Sequence, residues 1–405
     1  ATSSETCNKR IRFDVPETES DLKAENDRSM AVASRLPLAP QGLKHLSYDC
    51  PGMTGAGTRM LVEPRTFSRL LQNGPIVIPL FQRAYCWTKA QLTGWWRDVT
   101  RGGSNAFNKH HTGKAVFKQV ERQLLCIDGQ QRCTTQLLLL AAVRDRALQQ
   151  LSGDAAAMSA AQQLIDGLEA LMFPDVVSMR EWARAWAQQA SCKASEIPVS
   201  QQWEDAFEIG AQLPFAGGAM LLPSFVDRRP FFELLLIGRC AFELAAIDRN
   251  IGALTPSTHA RGSKQELAKS IFDVEARACA QAAAGCIPSL QAAVSNALNE
   301  VQVMYCEVLN DINLSQVFLW LQEKSLLGMG ALLHNPSPGI PFRPADLARN
   351  LLLSSSVMRA REMSEQERLF RREWIVPLEQ PAGSAERLDA MVHAFVQSLD
   401  DAEGE

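Results

Sequence analysis

Two short stretches of the chain concentrate groups that bind anions and move protons. In the first, Asp128-Gly129-Gln130-Gln131-Arg132 follows the apolar run Leu124-Leu125-Cys126-Ile127; Thr134 and Thr135 come next, ahead of the apolar run Leu137 to Val143. The first run reads as the end of a buried strand and the second as the buried face of a helix, so the polar residues sit at a strand-to-helix turn. The leading N–H groups of a helix lack intrahelical acceptors, and the helix dipole adds about half a positive charge there. Gly129 permits a tight turn. This is the outline of a phosphate or other anion site, with the 129–132 backbone, Arg132 and Thr134 as its contacts. Asp128 would repel a bare phosphate, so its roles are to hold Mg²⁺, to orient Arg132 or a water, or to cap the helix. Gln130 or Gln131 would orient a water or a base edge. A plain N-cap at Asp128 with solvated glutamines fits the same stretch.

The second stretch, residues 78–99, places Gln82, Arg83, Tyr85 and Trp87 just after a β-branched run. Tyr85 and Trp87 offer either a stacking platform for a base or ordinary packing. Gly113-Lys114 adds a cation beside a glycine, but no Walker A pattern surrounds it. Between Gln82 and Arg132 there are nine Lys/Arg and three Asp/Glu, a local difference of +6 in a chain whose net charge is −4. Such a segment attracts phosphate or forms a solvated basic face. His110-His111 lacks a partner set for a metal. Cys126 and Cys133 flank the turn and read as packing thiols. Trp95, Trp96, Trp182, Trp186, Trp320 and Trp374 lie in apolar contexts and read as core.

Together the two stretches resemble the N-terminal domains of GmrSD-type, modification-dependent restriction systems. Those domains carry a (Y/F)QRxYxW segment, a glycine-marked strand, and then IDGQQRxTT. The counterparts here are Phe81 to Trp87, His111 to Lys114, and Ile127 to Thr135. Further likenesses follow in order: Asp227-Arg228 in LPSFVDRRPFF, the 317–325 segment, PADLARNLLL at 344–353, and FRREWIVPLE at 370–379. The chain departs from the pattern at Phe81, where Tyr is commoner, and at Gln322, where Asn is expected. Residues 183–218 and 329–342 read as added material. The resemblance implies a ParB/sulfiredoxin-like first domain, binding or hydrolysis of NTP (GTP or ATP) with Mg²⁺, and sensing of modified DNA. Only 25 residues follow Gln380, too few for a nuclease module, so the expectation is either a nuclease on a separate subunit or no cleavage at all.

These residues must be positioned by secondary structure, which the pattern outlines as α+β: a small mixed sheet, then a mostly helical domain. Residues 1–60 read as a disordered leader, 61–151 as the α/β domain, 152–380 as the helical domain and 381–405 as an acidic tail. Strands are expected at 75–81 and in GKAVFKQV and RQLLCIDG. Helices are expected at 64–74, 88–99 and from Gln130 to Leu151, then in the Ala-rich tracts, among them LQAAVSNALNEVQVMY at 290–305, whose end overlaps a strand candidate, VMYCEVL. Ten cysteines occur singly with no CxxC pair, which argues for reduced thiols in an intracellular compartment, cytoplasm or nucleus. There is no secretory signal pattern and no apolar run long enough for a membrane span.

Three functions stay open on this reading. One is a nucleotide-binding domain with NTP hydrolysis as its catalytic extension. The others are a non-catalytic nucleic-acid-binding module on the same basic face, and an interaction scaffold that keeps the fold alone.

Overall fold

The computed structural model describes residues 46–50, 58–80, 82–100, 110–151, 155–190, 218–247, 254–257, 260–281 and 285–309, with isolated positions between 345 and 394. The strands are β1 (Leu46–Cys50), β2 (Thr58–Thr66), β3 (Ile76–Val77), β4 (His110–Val120), β5 (Gln123–Asp128), β6 (Leu221–Leu222) and β7 (Val301–Val308). They form one mixed sheet in the order β1-β2-β7-β4-β5-β3-β6. The helices are α1 (Phe67–Leu71), α2 (Lys89–Thr100), α3 (Gln130–Leu148), α4 (Ala155–Met172), α5 (Val176–Ala190), α6 (Arg228–Ile247), α7 (Lys264–Ala280) and α8 (Cys286–Ser295). The architecture is α+β, as the sequence pattern indicates. No helix among the described residues is long and apolar enough to cross a membrane.

Side chains alternate across a strand, and here the alternation separates two cores. Phe117, Cys126, Val303 and Tyr305 face the large core shared with the helices. Val116, Ile127, Cys306 and Val308 face a smaller cluster completed by Ala345, Phe370, Trp374 and Leu388. The central strands are therefore covered on both faces, which suits their near-continuous apolar sequence. Helix α3 is buried on almost every side and packs against α4, α6 and α7. Its middle, Leu137 to Val143, is apolar all round and is at home only in such a position.

The expected boundaries need correction. The sheet is not completed within 61–151, because β7 lies between β2 and β4 in its middle, and the large core runs through both expected domains. Leu46–Cys50, inside the expected leader, pairs antiparallel with β2. The helix expected at 290–305 stops at a π-turn, Asn296–Glu300, and Val301 onward is strand. Val301, Val303 and Tyr305 are β-branched or aromatic, and the paired partners on both sides decide their state. Of the strand expected over 75–81, the described residues 75–80 are strand only at Ile76–Val77. Helix α5 continues to Ala190, into the segment taken as added material; residues 317–325 and 329–342 lie outside the described residues.

Buried ion pairs join the helices. The Arg144 side chain is fully buried and donates to Asp145 Oδ1 at 2.6 Å and to Leu235 O at 2.7 Å. Lys269 of α7 reaches Asp145 Oδ2 at 2.7 Å and Asp273 at 2.6 Å. Gly238 of α6 makes room for this cluster: a Cβ there would lie 2.0 Å from the Asp145 carboxylate. In an ordinary helix interior Gly→Ala stabilises by about 1 kcal/mol. Gly238→Ala should instead destabilise by about 2–3 kcal/mol, from overpacking and displacement of a buried charge. Urea unfolding of the two proteins measures the sign directly, and a gain in stability would show that the cluster can move aside.

Candidate functional site

Residues 82–88 cross the end of the sheet without regular secondary structure. Buried backbone polar groups need partners wherever no ladder supplies them, and here side chains from distant segments supply them. Gln131, in the first turn of α3, accepts from Cys86 N–H at 2.9 Å and donates to Ala84 O at 3.2 Å. One turn on, Thr135 shares a 2.6 Å hydrogen bond with the Tyr85 hydroxyl, with both residues buried. Burial pushes the Tyr85 phenol well above its ordinary range, so it stays a neutral partner at any physiological pH. Gln82 is buried and donates to Ile127 O, while Gln82 O accepts from Arg349 at 3.5 Å. Tyr85 N–H donates to Asp227 Oδ2 at 2.7 Å.

Asp227 is the hub on the far side of this segment. Ser224 donates to Oδ2 at 2.5 Å and Gln265 Nε2 donates to Oδ1. Burial pushes the Asp227 carboxyl up to about 6, outweighing the hydrogen bonds from Ser224, Tyr85 and Gln265 that favour its ionised form.

The open side of the site is the turn itself. Gly129 caps α3 with φ 109° and no side-chain cap. A Cβ there would lie 2.6 Å from Ala115 Cβ, so the close approach of turn and strand demands glycine. Strand β4 is irregular between His111 and Lys114 in its pairing with β7, and Gly113 at this bulge has φ 98°. Arg132 lies across it and donates to Lys114 O at 2.6 Å. A Cβ on Gly113 would sit 3.1 Å from the guanidinium. Beyond that bond, Arg132 makes no hydrogen bond or ion pair among the described residues, and neither does the Asp128 carboxylate or the Lys114 ammonium. Lys114 is exposed, and Asp128 and Arg132 are half-buried.

The structure thus brings Gln82 and Tyr85 against the start of α3, and gathers Gly113, Lys114, Asp128, Gly129 and Arg132 around its open end. Arg83 is half-buried on the same segment. Gln130 and Thr134 are buried, and Gln131 has both ends of its amide on backbone groups. Trp87 meets Trp95 edge-on at 5.4 Å and packs against the core. Cys126 and Cys133 are both buried and unoxidised, with burial holding the Cys126 thiol well above its ordinary range. Among the described residues no three His, Cys, Asp or Glu side chains are grouped to hold a metal. Sequence reasoning missed Asp227, Thr135, Gln265 and Arg349 as parts of the site. Asp227 and Arg349 lie in motifs singled out above, and Thr135 in the turn itself; nothing marked Gln265.

Residues 67–211 match the family model described as the GmrSD restriction endonuclease, N-terminal domain. No curated protein matches the chain.

The Asp227 hub makes a pH test possible. Its folded value, about 6, exceeds the unfolded value near 4, so the folded state binds the proton more tightly. Its contribution is most favourable below about pH 4 and declines as pH rises through 6. Two units correspond to about 2–3 kcal/mol. The unfolding free energy of the parent relative to Asp227→Asn should fall by that amount from pH 4 to pH 7. A difference that stays flat in urea titrations would mean that Asp227 does not titrate there.

Proposed function

We propose that the GmrSD-type domain of this chain binds the phosphate groups of a nucleotide at the open first turn of α3. One observation carries the reading. Arg132 is held over the Gly113 bulge by a single bond to Lys114 O rather than paired with Asp128 four residues before it. Two opposite charges left unpaired beside an uncapped helix start suit a ligand that uses both. Phosphate oxygens would meet the leading N–H groups of α3, the Arg132 guanidinium and the Lys114 ammonium. The glycines at 113 and 129 keep Cβ atoms out of the approach.

Hydrolysis of the nucleotide is the catalytic extension of this reading. Mg²⁺ accepts one or two carboxylates with phosphate oxygens and waters completing the shell. The half-buried Asp128, whose carboxylate makes no hydrogen bond among the described residues, fits that role as the single protein carboxylate. The metal would supply charge neutralisation at the phosphates. Arg132 and Lys114 would orient them, and Gln131 and Thr135 would keep the 84–86 segment fixed beside them as positioning residues. The +6 balance of residues 82–132 favours a polynucleotide as the second reading, on the same cations.

Arg132→Ala should weaken binding of ATP or GTP by about 1.5–3 kcal/mol, the value of a charge-assisted contact, with the fold intact by circular dichroism. Asp128→Asn should spare most of the binding and abolish Mg²⁺-dependent phosphate release. Calorimetry and a phosphate-release assay separate the outcomes. Equal affinity in parent and Arg132→Ala removes the arginine from the site. Affinity for DNA that exceeds nucleotide affinity and falls steeply with salt selects the polynucleotide.

A further inference from the structure

On the other side of the 84–85 backbone lies a cavity of about 390 Å³ that the phosphate turn does not use. Its walls are Ala84 and Tyr85, the start of α6 at Asp227 and Arg229, and the start of α7 at Lys264 and Gln265. Its size falls within the range of about 300–1,000 Å³ usual for small-molecule sites.

The charges around it are arranged for an anion. Arg229 lines it from the start of α6, where the first turn holds no acid, and Lys264 is the first residue of α7. Cations at helix N-termini are opposed by the dipole. An anion in the cavity would be attracted by those cations and by the dipoles together. The Lys264 side chain is exposed and makes no ion pair or hydrogen bond among the described residues. The nearby acids are engaged: Asp227 holds three donors, and Glu266 accepts from Gly262 N–H. Ser263 accepts from Glu266 N–H at 3.1 Å, which leaves its hydroxyl proton able to donate.

A second feature asks for a donor on the ligand. Gln265 lines the cavity and is 2% exposed. A carboxylate only accepts, so the amide must turn Nε2 to Asp227 Oδ1. Its Oε1 makes no hydrogen bond among the described residues and is open to the cavity as an acceptor. Val226 and Pro230 add apolar wall.

We propose that this cavity is a ligand site separate from the first turn of α3 and takes a nucleoside monophosphate. The phosphate lies against Lys264, Arg229, the Ser263 hydroxyl and the α7 N-terminus; a base N–H meets Gln265 Oε1, and the base lies on Val226 and Pro230.

The test uses the full chain carrying Arg132→Ala, so that the α3 turn is disabled, with AMP, GMP and inorganic phosphate as calorimetric probes. At least one mononucleotide should bind saturably, and at least tenfold more tightly than inorganic phosphate. Lys264→Glu should weaken that binding at least tenfold. Val226→Trp, a change at a position 40% exposed, should block it by filling the cavity mouth. Neither change touches the α3 turn, so the triphosphate binding that depends on Arg132 should be retained in the corresponding Arg132-containing proteins. Three results overturn the proposal: no mononucleotide binding, mononucleotide binding no tighter than phosphate, or binding that survives both Lys264→Glu and Val226→Trp. Loss of triphosphate binding by the parent with mononucleotide binding retained would sink the α3 site alone.

Discussion

An irregular segment wedged between a sheet and two helices must still satisfy its backbone, and that requirement organises this molecule. Residues 82–88 pair with no strand and belong to no helix. Their N–H and C=O groups are met by Gln131, Asp227 and Arg349, and the segment returns bonds from Gln82 to Ile127 O and from Tyr85 to Thr135. Each unmet buried group would cost about 1–3 kcal/mol. Motif residues scattered over nearly the whole described chain are therefore tied to one stretch of backbone.

Helix geometry divides the labour within the turn. Gln131 and Thr135 are four apart and share one face of α3, so both reach the 84–86 segment. Arg132 is about 100° further round the helix and meets the β4 bulge instead. Asp128 ends β5 before the helix begins. A run of polar residues that reads as one uniform site thus splits into clamps, which are buried and committed, and a smaller group of charges facing outward. Which glutamine is a clamp follows from the partner brought to it, and no local pattern contains that partner.

The same distinction explains what the sequence made legible. The strand-turn-helix at 124–148 was readable because its apolar runs, its glycine and its polar turn are adjacent in the chain. Helices α2 to α7 were readable from their 3.6-residue period. The place of β7 was not, because Val301–Val308 takes its partners from β2 and β4, far away in sequence, and the preceding Ala-rich helix carries its period up to the strand without a break signal. Gln265 looks like any polar residue at a helix start; only the fold sets it beside Asp227. Trp87 could be read as platform or packing, and its edge-on contact with Trp95 is supplied by α2, eight residues on.

Asp227 shows why such a segment tolerates an expensive residue. Burial raises its carboxyl to about 6, so the folded state works against its ionised form. Asn has nearly the same shape, but it would offer one accepting oxygen where Tyr85 N–H, Ser224 O–H and the Gln265 amide all donate. Its own NH₂ would face the Gln265 amide, which would have to turn its Oε1 inward in place of the Nε2 that donates to Asp227. A carboxylate is the small side chain that can accept from three directions, and the three directions come from three different elements. The destabilising burial of one charge is thus the condition for joining the 82–88 segment, the start of α6 and the start of α7 at a single point.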